Sequence, residues 1–303
     1  LQSVLAQTYE NLEIIICDDF STDRSWELIQ AFLPKLQKKF NKVIAFQNPR
    51  NLGVTPALNK LLEKTRGVVL FALSGDDMMA ENYIAEVMQV YKEHPEASVF
   101  VSNGYHVEEK VKYAELANAS LPLWYKKNPD FNKDTLFERL YWQNCVFAPG
   151  VSVKRTVYDD FGFYDTDICI EDLEFWLRIS RTKETKFIYI DKPLIFYRKN
   201  PNSVSSQEKN ERYIERNKVY LAGCEKIIEK YAPYVEKDLY VRRKWEHLQR
   251  EWIFYKMNVP EAETRILKEK LYPFIKENWH TIGWKQLVGY YRKYMIALFN
   301  KIH

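Results

Sequence analysis

Residues 13–23 read EIIICDDFSTD. The stretch opens with an apolar run rich in β-branched side chains, which is typical of a buried strand. The run ends in two carboxylates, Asp18 and Asp19, and the Ser-Thr pair after them can cap a helix over residues 23–40. A strand that leads through an acidic turn into a helix is typical of an α/β sheet.

The alternation of strands and helices continues along the chain. The same patterns predict strands at 43–47, 67–73 and 98–103, with helices at 54–64 and 79–92. Farther on they predict a helix at 171–181, short strands at 187–190 and 194–197, and almost wholly helical chain from about residue 207. Residues 104–150 are aromatic and loop-like. We therefore expect an α/β fold with a Rossmann-like mixed sheet and a C-terminal helical extension.

Length and composition indicate a soluble globular protein of two domains, or of one large domain with an extension. The chain has 303 residues, and a domain typically has about 150. Hydrophobic residues make up 46% and charged residues 28%, which excludes a disordered chain. Apolar runs fall far short of the roughly 18 residues that a transmembrane helix needs. The four cysteines show no paired spacing and indicate reduced thiols, which exist in the cytoplasm: Cys17, Cys145, Cys169 and Cys224.

Acidic residues follow two of the predicted strands directly. Asp18 and Asp19 end the first strand, and the segment Ser74-Gly75-Asp76-Asp77 follows the third. In open α/β sheets, ligands bind at the carboxyl ends of parallel strands. Carboxylates clustered there suit a divalent metal that also holds phosphate. The alternative is that each pair caps the helix that comes after it, a role that Asp fills well.

A series of short motifs occurs in a fixed order over about residues 1–205. They are SVLAQTY at 3–9, EIIICDDFSTD at 13–23, NLGV at 51–54 with Asn59, SGDD at 74–77, GFYD at 162–165 with Glu171-Asp172, and Tyr197-Arg198 to Ser203. Together they resemble the family 2 glycosyltransferases, which are inverting enzymes of the GT-A fold and make bacterial cell-surface glycans. Each motif is short, but their common order makes the resemblance specific.

The resemblance implies roles for the acidic residues. Asp19 corresponds to the acid that hydrogen-bonds the nucleotide base, which is usually uracil. Asp76 corresponds to the last residue of the Asp-x-Asp motif, a ligand of Mn²⁺ or Mg²⁺ at the donor diphosphate, and Asp77 is a second candidate metal ligand. Asp172 corresponds to the general base. It lies in the first turn of the predicted helix that begins at Glu171, where the helix macrodipole favours the ionised form.

The resemblance also implies nucleotide contacts by four further residues: Asn51, Asn59, Ser74 and Arg198. Arg198 lies where family members place basic residues against the pyrophosphate. Ser74 replaces the first Asp of the Asp-x-Asp motif, and a serine can still bond a ribose hydroxyl. Leu58 stands where many members have arginine. The family also has a strand before the helix that matches residues 1–7, so we expect the native enzyme to be longer than this chain.

The expected activity is transfer of a sugar from a nucleotide-diphospho-sugar, usually a UDP-sugar, to a hydroxyl of a glycan or lipid-linked acceptor. A catalytically inactive glycosyltransferase-like binding protein remains an alternative, because Ser74 departs from the metal motif. A phospho-acceptor receiver domain also has an acidic strand end. The chain length and the Glu171-Asp172 region argue against it.

Charge divides the chain into an acidic and a basic part. From residue 201 onward there are 20 Lys and Arg against 13 Asp and Glu, whereas the remainder has 25 against 28. We expect a glycosyltransferase domain at 1–205 and a helical, basic region at 206–303. Aromatic and apolar residues recur at helical spacing through 280–303, which indicates an amphipathic helix at a membrane surface or one packed on the protein. The protein is then either free in the cytoplasm or at the inner face of the membrane, and no nucleic-acid module is recognisable.

Overall fold

The computed structural model describes residues 1–107, 133–182, 184–198, 212–283 and 289. The chain divides into two units. The first, Leu1–Asp167 with Glu171–Gln207, is called the sheet unit. The second, Ile168–Ile170 with Glu208–His303, is called the helical unit.

The strands of the sheet unit lie in two sheets. In chain order, the described strands are β1 (Glu13–Asp18), β2 (Lys42–Gln47), β3 (Val69–Phe71), β4 (Met78–Met79), β5 (Val99–Val107), β6 (Val151–Lys154) and β7 (Phe187–Arg198). β1 and β2 pair in parallel, and the other five form a sheet in the order β3-β6-β5-β7-β4. Because β5 pairs with β7 in parallel and with β6 in antiparallel orientation, the second sheet is mixed. The expected mixed α/β architecture is therefore confirmed.

Helices alternate with the strands, as the spacing predicted. In the sheet unit the described α-helices are α1 (Gln2–Leu5), α2 (Ser25–Lys39), α3 (Val54–Lys64), α4 (Tyr83–Glu93), α5 (Lys133–Trp142), α6 (Arg155–Phe161) and α7 (Glu171–Ser180). The region expected to be loop-like, residues 104–150, contains the end of β5, α5 and a short 3₁₀ turn at Ala148–Gly150. Residues 108–132 lie outside the described part of the chain.

Three local predictions were wrong. The strands expected at 187–190 and 194–197 are one strand, β7, because β5 shifts register opposite it: Ser102 pairs with Ile190 and Asn103 with Pro193. β1, which was expected to be a buried strand, is half-buried along most of its length, and only Asp18 at its end is buried. Ser21 does not cap α2, whose N-cap is Arg24, because its hydroxyl donates instead to the carboxylate of Asp18.

The packing of Phe147 against β5 requires a glycine at position 104. Phe100 and Ile195, on the paired strands β5 and β7, are fully buried, and Phe147 packs with them. A Cβ atom placed on Gly104 would lie 2.6 Å from the Phe147 ring, which is closer than non-bonded carbon atoms approach. Only glycine fits at this point of β5.

The helical unit consists of α8 (Tyr213–Tyr231), α9 (Lys237–Asn258) and α10 (Glu263–Ile266), and the last continues through a π-turn at Leu267–Leu271 into helix over 272–283. Apolar residues of α9, α10 and the turns after them form its core: Val241, Trp245, Leu248, Trp252, Ile266, Leu271 and Ile282. No helix in the described ranges combines the length and the apolar character needed to cross a bilayer. Residues 284–288 and 290–303 lie outside the described residues, and so does most of the predicted amphipathic helix.

Gln7 anchors the N-terminal segment in the sheet unit. Its side chain is fully buried. The amide nitrogen donates to the carbonyl of Ser3 (3.0 Å) and to that of Ala80 (2.7 Å), and the amide oxygen accepts from the Ile84 backbone N–H (3.2 Å). One side chain thus satisfies backbone groups of two different segments, the turn after α1 and the first turn of α4.

We expect Gln7→Leu to destabilise the protein by about 2–3 kcal/mol, because it removes the side-chain partner of the Ile84 N–H and of the Ser3 carbonyl. Urea unfolding followed by circular dichroism measures this free energy. The matched control is Gln89→Leu, at an exposed position of α4, which should change stability by less than about 0.5 kcal/mol. Equal effects of the two substitutions would show that Gln7 does not anchor the segment.

Candidate functional site

The two carboxylates at the end of β1 are held in different ways. Asp18 is buried, and it accepts hydrogen bonds from the Ser21 hydroxyl (2.5 Å), the Ser21 N–H (3.1 Å) and Gln47 Nε2 (2.8 Å). Burial alone would raise the pKa of Asp18, but these hydrogen bonds outweigh it and hold the pKa below its usual range. Asp18 therefore shapes the turn after β1.

Asp19 fastens the loop before α3. Its oxygens accept from the backbone N–H groups of Leu52 (2.9 Å) and Gly53 (2.8 Å). Gly53 is the N-cap of α3 and has φ of +88°, a conformation that favours glycine. The structure thus brings two sequence motifs together, the acidic strand end and NLGV. The neighbouring Asn51 is exposed on the same loop.

Asn48 and Lys60 complete this corner of the sheet unit. Asn48 is buried, and its Nδ2 donates to Asp19 Oδ1 (2.8 Å) while its Oδ1 accepts from Lys60 Nζ (3.0 Å). Lys60 thereby brings a positive charge close to Asp19. The sequence interpretation missed both residues, although Asn48 follows β2 directly and therefore lies at the carboxyl end of a parallel strand.

A second acidic turn lies between β3 and β4. The Asp77 N–H donates to the Ser74 carbonyl (3.2 Å), which closes the turn. Arg198, at the end of β7, donates its backbone N–H to Asp77 Oδ1 (2.9 Å) and its Nε to the Asp76 carbonyl (2.9 Å). Four of the sequence-predicted site residues, Ser74, Asp76, Asp77 and Arg198, therefore form one group.

This turn has the donor chemistry of a divalent metal site. Ser74 and Asp76 are exposed, and in the described part of the chain no side chain is hydrogen-bonded to the Asp76 carboxylate. Asp77 is buried, and burial, with the charge of Asp76 adding to it, raises the pKa of Asp77 to about 6. Two repelling carboxylates and a hydroxyl are hard oxygen ligands of the kind that Mg²⁺ and Mn²⁺ take. The residues present therefore fit the predicted metal.

A second cluster of potential metal ligands lies among the described residues, but its carboxylates are already paired with lysine side chains. Glu225, His247 and Glu251 of the helical unit bring one ligand atom each within 4.8 Å of one another. Lys270 Nζ lies 2.8 Å from Glu225 Oε2 and 2.9 Å from Glu251 Oε1, and Lys244 Nζ lies 2.9 Å from Glu225 Oε1. Burial lowers the pKa of His247 to about 3, so its ring is neutral. The lysines neutralise the carboxylates here, and the cluster is an internal salt-bridge network.

Asp172 lies in the first turn of α7 beside Glu171. Asn144 Nδ2 donates to Asp172 Oδ2 (2.8 Å). Burial raises the pKa of Asp172 despite this hydrogen bond, and burial together with the charge of Asp172 raises the pKa of Glu171 to about 7. The backbone N–H groups at the start of α7 do favour the ionised form of Asp172, as the sequence predicted, but burial outweighs them and the net shift of the pKa is upward.

Asn59 connects α3, whose N-cap is held by Asp19, to the segment that precedes α7. Its Nδ2 donates to the Tyr164 carbonyl (2.9 Å), and its Oδ1 accepts from the Tyr164 N–H (3.0 Å). The Tyr164 ring packs on Phe175 of α7, with 5.0 Å between ring centroids. Both polar groups of the Asn59 side chain are therefore engaged by the backbone. Asn144 is a further site residue that carries no signal in the sequence, since only its hydrogen bond to Asp172 identifies it. Tyr164 lies in the GFYD motif, but its contact with Asn59 was not predicted.

We expect Glu171→Gln to stabilise the protein at pH 8 by roughly 1–2 kcal/mol and to have little effect at pH 4. A carboxyl whose pKa rises from 4.5 unfolded to about 7 folded binds its proton more tightly in the folded state. Stability is therefore lost as the pH rises through that window, and a neutral glutamine avoids the loss.

Thermal unfolding at several pH values checks this expectation. Glu63→Gln, at an exposed position, is the control and should not change the pH dependence. A Glu171→Gln protein that is less stable than the parent at pH 8 would contradict the assignment.

Comparison with known proteins bears on the whole arrangement. A sequence profile described as "Glycosyl transferase family 2" matches residues 1–162, more than half of the 303-residue chain. The chain is similar to UDP-Glc:alpha-D-GlcNAc-diphosphoundecaprenol beta-1,3-glucosyltransferase WfaP of Escherichia coli, with 32% identity over 109 residues, which are 36% of this chain and 40% of that protein. The chain therefore matches less than half of the length of this relative.

Two solved structures share the fold. S. aureus TarS 1-349 in complex with UDP-GlcNAc has a TM-score of 0.55 at 12% identity, and the match covers 93% of this chain and 87% of that one. The mannosyltransferase PcManGT from Pyrobaculum calidifontis, in complex with GDP-Man and Mn²⁺, has a TM-score of 0.54 at 11% identity, with 98% and 75% covered. At such identities the likeness concerns the fold. Together with the profile match it confirms what the motifs indicated: the chain belongs to glycosyl transferase family 2 and has the GT-A fold, followed by C-terminal helices.

Proposed function

We propose that this chain is a metal-assisted, inverting glycosyltransferase, with a nucleotide-diphospho-sugar as donor and a hydroxyl of a glycan or lipid-linked molecule as acceptor. The observation that carries the proposal is the environment of Asp172, a buried carboxylate whose pKa is raised although the Asn144 amide and backbone N–H groups of its own helix turn donate to it. A carboxylate of this kind is a stronger base than an exposed one.

Asp172 acts as the general base in this proposal. It removes the proton from the acceptor hydroxyl while the hydroxyl oxygen attacks the anomeric carbon of the donor sugar. The bond from that carbon to the diphosphate oxygen breaks, and its electron pair leaves with the nucleoside diphosphate. A single displacement of this kind inverts the configuration at the anomeric carbon. Glu171, whose pKa burial and the charge of Asp172 raise to about 7, lies beside the base as a second titratable carboxyl.

The donor is held, we propose, by the two acidic turns. The oxygens of Asp19 already accept from three N–H donors, and a carboxylate has about four acceptor sites, so Asp19 accepts one further hydrogen bond, from the base. Arg198 supports the pyrophosphate from the end of β7. Asp76 and Asp77 would hold Mn²⁺ or Mg²⁺, which when bound neutralises charge that develops on the departing diphosphate. The engagement of Asn59 by the Tyr164 backbone argues that Asn59 positions the site rather than binding the nucleotide itself.

The identity of the donor rests on the relatives. The full name of WfaP specifies a UDP-sugar and a lipid-linked acceptor, and TarS 1-349 is in complex with UDP-GlcNAc. Because PcManGT is in complex with GDP-Man, the fold accepts more than one base. A UDP-sugar is the first donor to test with this chain.

We expect Asp76→Asn and Asp172→Asn each to lower sugar transfer at least about 100-fold, because one removes a metal ligand and the other the base. The measurement is release of UDP from a panel of UDP-sugars by the full-length protein with Mn²⁺ or Mg²⁺. Asp160→Asn, at an exposed position of α6, is the matched control and should retain activity.

The same experiment separates the enzyme from an inactive binding protein. Calorimetry of the parent protein with nucleotide-sugars shows whether a donor binds at all. Binding without turnover under any metal would support the inactive alternative that Ser74 leaves open. No binding of any nucleotide-sugar would overturn both versions of the proposal.

We expect Asn144→Ala to move the acid limb of the pH–rate profile to higher pH by about 1 pH unit. The Asn144 amide stabilises the carboxylate form of Asp172, so its loss raises the pKa of the base further and more alkaline conditions are needed to ionise it. Rates at high pH should approach those of the parent protein.

The control for this profile is Asn82→Ala, at an exposed position before α4. If Asn144→Ala lowers the rate equally at every pH, Asn144 positions Asp172 without tuning its pKa.

A further inference from the structure

Phe20 has a backbone conformation that aromatic residues rarely adopt. Its φ is +63°, and in the described part of the chain it is the one residue other than glycine with a positive φ. In this left-handed region the Cβ atom approaches the following carbonyl oxygen, and a bulky residue there is an outlier. Such strain persists where the surroundings determine the backbone, and it concentrates at functional sites.

The surroundings of Phe20 do determine its backbone. On one side, Asp18 accepts two hydrogen bonds from Ser21, across the turn that contains Phe20. On the same turn, the carboxylate of Asp19 is fastened to the N–H groups of Leu52 and Gly53. With both ends of the turn fixed, a glycine at position 20 would adopt the required φ without strain. The turn therefore does not explain why this residue carries a ring.

Packing does not explain the ring either. Phe20 is 47% exposed. Among the described residues, its ring forms no aromatic pair and lies under no cation, in contrast to Phe40 and Phe46, which each lie against a lysine. An exposed aromatic side chain in a strained conformation contributes little to the stability of the fold.

The location of the ring points to a ligand. Phe20 follows Asp18 and Asp19 directly, at the carboxyl end of β1, and open α/β sheets bind ligands at such strand ends. It is adjacent in sequence to Asp19, whose proposed role is to accept a hydrogen bond from the base of the donor. A nucleobase is flat and has two π-faces, and an exposed phenyl ring is a suitable surface for one of them.

We propose that Phe20 is a stacking residue for the nucleobase of the donor, which the turn holds in a strained conformation in order to present the ring beside Asp19. The inference rests on the proposed nucleotide-sugar function and adds to it a residue that recognises the base. It also predicts a division of labour: Asp19 reads the polar edge of the base, and Phe20 covers a face.

Two substitutions at position 20 separate this role from a structural one. Phe20→Ala removes the ring, and Phe20→Gly removes the ring and relieves the strain at φ of +63°. Both should weaken UDP binding about tenfold, within the range expected for loss of one stacked base. Phe20→Gly should unfold at the same temperature as the parent protein or a few degrees higher, since glycine accepts this backbone. Phe20→Trp should bind UDP at least as tightly as the parent.

The probes are UDP and inorganic pyrophosphate, each with Mn²⁺, measured by calorimetry on the full-length protein. Binding of pyrophosphate, which has no base, should be the same in all variants. In turnover, KM for the UDP-sugar should rise while kcat changes little, because stacking is equal in the ground state and the transition state. Tyr272→Ala, at another exposed aromatic side chain, is the control and should bind UDP as the parent does.

Unchanged UDP affinity in both Phe20→Ala and Phe20→Gly would overturn the inference while leaving the proposed function intact. Equal losses for UDP and pyrophosphate would also overturn it, because the effect would then not depend on the base. A parent protein that binds no nucleotide would instead refute the proposed function itself.

Discussion

Two hydrogen bonds between the side-chain amide of Asn59 and the backbone of Tyr164 join parts of the chain that are 105 residues apart. On one side, Asn59 belongs to α3, and the N-cap of that helix, Gly53, is held by Asp19 at the end of β1. On the other side, the ring of Tyr164 packs on Phe175 of α7, the helix whose first turn carries Asp172. The loop that Asp19 fastens and the helix that carries Asp172 are therefore joined through a single amide, and their relative placement depends on it.

The balance between burial and hydrogen bonding separates the carboxylates of the sheet unit into two kinds. Asp18 is buried but accepts three hydrogen bonds, and its pKa is lowered. Asp77 accepts a hydrogen bond from the Arg198 backbone and Asp172 accepts one from the Asn144 side chain, but burial outweighs these bonds and raises the pKa of both. Where hydrogen bonds outweigh burial, the carboxylate fixes a turn, whereas a carboxylate on which burial dominates readily takes a proton or a metal.

Much of the fold followed from local patterns. β1, β2, α3 and α7 lie within one or two residues of their predicted positions, because apolar periodicity and the acidic or glycine-containing turns that bound these elements act over short distances. The continuity of β7 did not follow. It depends on a register shift in β5, which lies more than 80 residues earlier in the chain, opposite Pro193. The helix cap predicted at Ser21 is not formed, because the Ser21 hydroxyl donates to the carboxylate of Asp18 instead of accepting from the helix N-terminus.

The sequence by itself determined the chemical inventory: the acidic strand ends, the SGDD turn, the Glu171-Asp172 pair and the order of motifs that identifies the family. These signals are local, since each depends on residues that are adjacent in the chain. Only the tertiary structure decided which groups meet and in which ionisation state. It brought Arg198 to the carbonyl of Asp76, Asn144 to Asp172 and Asn59 to Tyr164, and its burial of Asp172 outweighed the expected effect of the helix N-terminus. The physical reason is that the hydrogen-bond partners and desolvation that set a pKa come from segments distant in sequence, and only folding brings them together.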